Sequence, residues 1–267
     1  MNDTAILFEN VSKSYPLYHH IVGGFKHFLF NLPEAMRMLR HSNYEVLRNI
    51  SFEVKKGETF GLIGRNGAGK STTLGLIGGV LKPTRGGIKV DGKILPLLDL
   101  GAGLHPDLTG KENIVLKGVL LGHTRKVMQK KMEEICAFAE LGKFIDEPVR
   151  IYSSGMVARL GFSVVACLEP EILLIDEILG VGDIDFRKKC FNKMMEFKKS
   201  GVTIVFVSHM LNDILRICNR VLWIENHGIR MIGKAEEVVE AYSKTSETAE
   251  KPKAPRSQVP AEALTAA

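Results

Sequence analysis

At 267 residues, 45% of them hydrophobic, the chain is long enough to bury a sizeable core in one large domain. Its 36 lysines and arginines against 30 acidic residues leave a net charge of +6, which suits phosphates or an acidic membrane surface and is too mild to imply a nucleic-acid partner. No stretch approaches the roughly 18 consecutive apolar residues that span a bilayer, and the N-terminus lacks a basic region followed by an apolar run.

In chain order, "AILFENVSKSY" predicts a strand and turn, and "VLRNISFEVKKGETFGLIG" predicts two strands around a Lys-Gly turn, the second ending in a glycine loop. Between them, residues 16–44 form an amphipathic insertion in which Phe25, Phe28, Leu29, Leu32, Met36 and Leu39 recur at helical spacing, interrupted by Pro33. Such a segment either packs on its own domain or lies against a membrane or membrane partner.

"GRNGAGKS", Gly64 to Ser71, matches the G-x-x-x-x-G-K-[ST] phosphate loop, with the apolar strand "TFGLI" before it and a helical pattern after it. Glycines let the backbone N–H groups curl inward around an anion, and the following helix presents its positive end to the same place. Gly64, Arg65, Asn66, Gly67, Ala68, Gly69, Lys70, Ser71 and Thr72 are therefore candidate ATP contacts. Lys70 can reach the terminal phosphates, and the Ser71 hydroxyl can ligate Mg²⁺.

From "KVMQKKMEEICAFAELG" onward the pattern is mostly helical, until "EILLIDE" and "GVTIVFVSH" appear as short, β-branched runs typical of central parallel strands. The first ends in two carboxylates at the edge where phosphate-loop folds keep their site. Asp176 would hold Mg²⁺ through water, and Glu177 would orient and polarise the attacking water. His209, closing the second strand, can donate to a γ-phosphate. "RVLWIENHGIRMIG" predicts a hairpin turned at Asn226 to Gly228, and "AEEVVEAYS" a closing helix. Beyond Ser243 the Lys-, Pro-, Ala- and Thr-rich stretch 244–267 is expected to be disordered. Cys136, Cys167, Cys190 and Cys218 form no Cys-x-x-Cys pair and are expected to be free thiols in a reducing cytosol.

These pieces, in this order, resemble the ATP-binding subunit of ABC transporters from about Ala5 to Tyr242. The resemblance implies an α/β phosphate-loop ATPase fold within residues 1–243: a mixed, largely parallel nucleotide-binding sheet, an antiparallel β subdomain, and a helical signature subdomain at about 99–165. The family's LSGGQ signature precedes the acidic strand by about twenty residues, where this chain has "YSSGM". By that resemblance Ser153 and Gly155 contact the γ-phosphate of ATP held by the opposite subunit of a homodimer, while Tyr152, Ser154 and Met156 depart from the family spelling. Asp183 falls at the family's subunit-joining aspartate. Tyr15 falls at the adenine-stacking aromatic, with Tyr44 as its rival because of the insertion. The loop glutamine expected near Asp99 or Leu100 is missing.

"LDLGAGLHPDLTGKEN", "YSSGM" with the following "ARLGF", and "DEILGVGDIDFRKKC" are similar to the polysaccharide-exporting members, which handle O-antigen, capsule and teichoic acids. Membership of that subfamily implies ATP hydrolysis coupled to an integral-membrane permease, a lipid-linked polysaccharide as the indirect cargo, and a place on the cytoplasmic face of the bacterial inner membrane. Some such subunits carry a C-terminal carbohydrate-binding domain; the short stretch here implies that the polymer's cap is not recognised through this subunit.

Overall fold

A computed structural model describes residues 3–16, 43–176 and 183–250. The interior of the insertion, Glu177 and the stretch 251–267 lie outside the described residues.

Two sheets meet face to face. Strands β1 (Thr4–Pro16), β2 (Asn43–Lys55) and β4 (Arg85–Val90) form an antiparallel sheet in the order β2-β1-β4. The second sheet has six strands in the order β5-β6-β7-β3-β8-β9, comprising β3 (Thr59–Ile63), β5 (Ile94–Leu97), β6 (Ile172–Asp176), β7 (Thr203–Val207), β8 (Arg220–Glu225) and β9 (Gly228–Lys234). It is parallel except for β9, which returns antiparallel to β8. Every residue of β3 and β7 is buried, as strands covered on both faces require. Phe52 of β2 stacks between Phe8 of β1 and Phe60 of β3, with ring centroids 4.4 and 5.5 Å away, and so ties one sheet to the other.

Helix α1 (Lys70–Ile77) follows β3 across the loop 64–69. A helical layer comprises α2 (Gly110–Leu120), α3 (Arg125–Ala139) and α4 (Ser154–Ala166), with short 3₁₀ turns at Gly142–Asp146 and Val149–Ile151. The "LTGKEN" run starts α2 with a capping box: Thr109 Oγ1 accepts from Glu112 N–H at 3.2 Å, and Glu112 Oε2 accepts from Thr109 N–H at 2.8 Å. Asn113, fully buried, binds both the N–H and the carbonyl of His105 and fastens the preceding loop to the helix.

Helices α5 (Ile184–Lys199), α6 (Leu211–Ile217) and α7 (Ala235–Glu250) complete the chain. The last one corrects the expectation of disorder from residue 244, since the helix runs to Glu250. Lys244 pairs with Glu240 one turn back at 2.6 Å, and the first proline lies beyond the helix at Pro252, so nothing local stops it at Ser243. The β8–β9 hairpin turns at Asn226 and His227, both at positive φ (49° and 68°), as two-residue hairpin loops demand.

Candidate functional site

The phosphate loop leaves the buried end of β3 and enters α1. Gly64, Gly67 and Gly69 take φ of 150°, 79° and 104°, and at the last of these a Cβ would stand 2.5 Å from the Leu47 side chain. Gly69 is the N-cap of α1 and supplies no side-chain acceptor, and the first turn contains no acidic residue. The first N–H groups of α1 thus have no side-chain acceptor at the cap, which suits an anion. Lys70 is 7% exposed, and its Nζ donates to the carbonyls of Gly64 at 2.8 Å and Arg65 at 3.1 Å, so the ammonium lies across the loop's own backbone. Ser71 is exposed and Thr72 half-buried beside it.

A cleft of about 390 Å³ opens against this loop, lined by Asn66, Gly67, Gly69 to Thr72, Tyr44 and Val46. Tyr44, not Tyr15, faces it. Tyr15 pairs with Tyr44 across the β1–β2 ladder, one strand farther from the loop, packed on the core with Lys13 over its ring at 5.0 Å. Tyr44 is 46% exposed, with His227 edge-on to its ring at 5.7 Å.

Sheet register assembles the rest of this edge. Leu62 of β3 pairs with Val207 of β7, and Val207 pairs with Asp176 of β6, so the three share one row. Two strand spacings of roughly 4.8 Å set Asp176 about 10 Å sideways from the strand that feeds the phosphate loop. Asp176 is half-buried there, and the exposed His209 follows two residues after β7. Glu177, next in sequence to Asp176, lies outside the described residues.

The "YSSGM" stretch occupies a different surface. Ser153 caps α4, its Oγ accepting from Met156 N–H at 3.3 Å, which leaves its own O–H to donate. Ser153 and Gly155 line an open hollow of about 1010 Å³ with Arg159, Phe144 and Asp183, and this hollow shares no residue with the phosphate-loop cleft. Among the described residues, a Cβ on Gly155 would meet nothing closer than Ser153 Oγ at 3.9 Å. Tyr152 is buried, and its hydroxyl donates to the carbonyl of Phe144 at 2.6 Å.

Asp183 caps α5 by accepting from Phe186 N–H at 2.9 Å and also pairs with Arg159. The Phe186 hydrogen bond and then Arg159 hold its carboxyl below the usual range. Arg159 in turn lies 3.7 Å from Glu140 and stacks over the Phe186 ring at 4.9 Å, so it bridges α4 to α5 and to the end of α3. Sequence reasoning missed Arg159; the only signal was a lone arginine on the otherwise apolar helix "VARLGFSVVA". The four cysteines are free thiols, and burial pushes Cys167, Cys190 and Cys218 up to about 12.

The profile of the family described as ABC transporter matches residues 47–180, from β2 through the phosphate loop and α4 to just past Asp176. The chain belongs to the ABC transporter family. It is similar to the O-antigen export system ATP-binding protein RfbB of Klebsiella pneumoniae, 56% identical over 90% of this chain and 98% of that one. It is also 44% identical to the teichoic acids export ATP-binding protein TagH of Listeria innocua, over 89% of this chain and 69% of the relative. Among solved structures, a dimeric ATP-binding cassette in a post-hydrolysis state bound to ADP and Pi superposes with a TM-score of 0.68, covering 86% of this chain and 98% of that one. At 23% identity that likeness speaks for the fold, the α/β ABC ATPase fold expected above. As the nucleotide-handling part of an ABC exporter, the chain's activity is ATP hydrolysis coupled to transport. Among the described residues no helix is long and apolar enough to cross a membrane.

Proposed function

We propose that this ABC ATPase works as a head-to-tail pair of copies on the cytoplasmic face of a bacterial inner membrane, driving an integral-membrane permease that exports a lipid-linked, O-antigen-like polysaccharide. The observation that carries the pairing is the separation of the two clefts: among the described residues, the signature hollow and the phosphate-loop cleft have no lining residue in common. The free space at Gly155 and the O–H of Ser153 suit a phosphate that arrives from outside the chain. The polysaccharide reading is supported by the 56% identity to an O-antigen export relative over nearly its whole length. The teichoic-acid relative at 44% identity supports a second cargo of the same class, another lipid-linked polymer.

In each composite site, Lys70 and the N-terminus of α1 bind the ATP phosphates, Tyr44 stacks on the adenine, and Ser153 and Gly155 of the other copy close over the γ-phosphate. Glu177 orients the attacking water, and His209 donates to the γ-phosphate. Ser71 and Asp176 offer the oxygen donors that Mg²⁺ prefers. A bound Mg²⁺ would supply positive charge against the ATP phosphates. Glu177→Gln keeps the size and removes the charge that polarises water. It should still bind ATP, turn over far more slowly and accumulate as a dimer by light scattering. Near-normal hydrolysis by that variant would sink the role given to Glu177.

A further inference from the structure

The loop after β5, where the family glutamine is missing, is held by a residue with no place in either cleft. Lys117, on the second half of α2, is 5% exposed, and its Nζ donates to the carbonyl of Leu100 at 2.7 Å. Burial brings its pKa down to about 8, against the opposing pull of Asp99. A lysine withdrawn from water is costly to keep, so a satisfied contact at such a position calls for a reason.

The same carbonyl also lies close against α4. A Cβ on Gly161 would lie 2.0 Å from the Leu100 oxygen, so α4 passes directly against the loop and only glycine fits. Leu97 pairs with Ile175 on the neighbouring strand, so this loop leaves the sheet at the edge that carries Asp176. Asp99 stays within the loop, its Oδ1 accepting from Gly101 N–H at 2.8 Å. Gly161 lies about 12 Å along α4 from its cap Ser153, at roughly 1.5 Å per residue. One carbonyl therefore joins the Asp176 edge, α2 and the helix headed by Ser153.

We infer that Lys117 is a positioning residue for ATP hydrolysis: it locks the loop after β5 to α2 and α4, so that the Asp176 edge and the signature helix move as one body. The inference rests on the composite site proposed above. An apolar residue at 117 would leave the Leu100 carbonyl without its donor and let the loop slide against α4. Among the described residues, the charge that acts on Lys117 from the elements around it is that of Asp99, which favours the ammonium; α4 presents Gly161.

The full chain with Lys117→Met or Lys117→Gln is compared with the unaltered chain for fluorescent-nucleotide binding, KM and kcat. With Met we expect KM for ATP within about twofold of the original and kcat lower by about tenfold. Gln donates without titrating and should return kcat to within about threefold. Between about pH 6.5 and 9.5 kcat of the unaltered chain should fall by no more than about threefold, because the neutral amine still donates but more weakly than the ammonium, a limb absent from both variants. Wild-type kcat and an unchanged limb in the Met variant would overturn the inference, as would raised KM with unchanged kcat. If the Met variant fails to fold by circular dichroism, the Gln variant decides by its pH limb: loss supports the lock, and persistence overturns it. An unaltered chain that binds no ATP would instead overturn the proposed function.

Discussion

Replacing Tyr152 with phenylalanine removes one oxygen atom from the stretch that departs from the family signature. That oxygen donates to the Phe144 carbonyl at 2.6 Å, and a Cβ on Gly110 would stand 2.5 Å from it, so it is packed between the start of α2 and the 3₁₀ turn at Gly142–Asp146. Tyr152 is 9% exposed, and burial raises its phenol above the usual range. Losing a buried neutral hydrogen bond and leaving its acceptor unmatched costs about 1.5 kcal/mol. For a fold of this size each kcal/mol is worth about 2–4 °C, so calorimetry should find the melting temperature lowered by about 3–6 °C. Leucine, the family's own choice, also loses the ring and should cost about 2–4 kcal/mol here. Because Tyr152 adjoins the cap Ser153, kcat should fall with it by about two- to fivefold. A Phe variant with unchanged melting and hydrolysis, or a Leu variant at least as stable as the original, would refute the fastening role.

Tyr44→Ala should weaken ATP binding by about tenfold, the value of one lost base–aromatic stack, while Tyr15→Ala stays within about twofold; a fluorescent-nucleotide titration with the reverse ranking would return the stacking role to Tyr15. Asp183 is held charged by Phe186 N–H and Arg159, so its folded pKa lies below the ordinary value of 3.8. Its stabilising contribution is therefore present above that value and is lost as pH falls through the depressed one. Asp183→Asn should flatten the acid limb of melting temperature as pH falls from the ordinary carboxylate range through the depressed value; an unaltered limb would contradict the capping role.

What was legible in the sequence was local. The phosphate loop, the acidic strand ending at Asp176 and the hairpin at Asn226 each announce themselves within ten or so residues, because glycine spacing, β-branched runs and turn residues act on their own neighbourhood. What was not legible depends on chain segments meeting from afar. Tyr44 reaches the cleft because β2, paired outside β1, folds over the loop, with Leu47 abutting Gly69, whereas the family resemblance pointed to Tyr15 with Tyr44 as its rival. Lys117 would ordinarily be taken for a solvated charge on a helix, and its burial and bond to the Leu100 carbonyl, 17 residues away, emerge only in the fold. Tyr152 is explained by a carbonyl eight residues back, across a 3₁₀ turn with no sequence signature. The helix end at Glu250 was missed because composition speaks to core burial, whereas a lone helix can run on through side-chain pairs such as Glu240–Lys244.

The central claim is that each ATP is enclosed by two copies, and a cross-link tests it most directly. In a Glu177→Gln background, Asn66→Cys on the phosphate loop and Ser154→Cys at the head of α4 are combined in one chain and treated with a short bismaleimide, with and without ATP. Three of the native cysteines, pushed up to about 12, should stay silent, and Cys136, raised by burial, provides the control in the parent chain. The account predicts an ATP-dependent covalent dimer. Closure of the pair within a single chain, or no ATP-dependent cross-link at all, would contradict it.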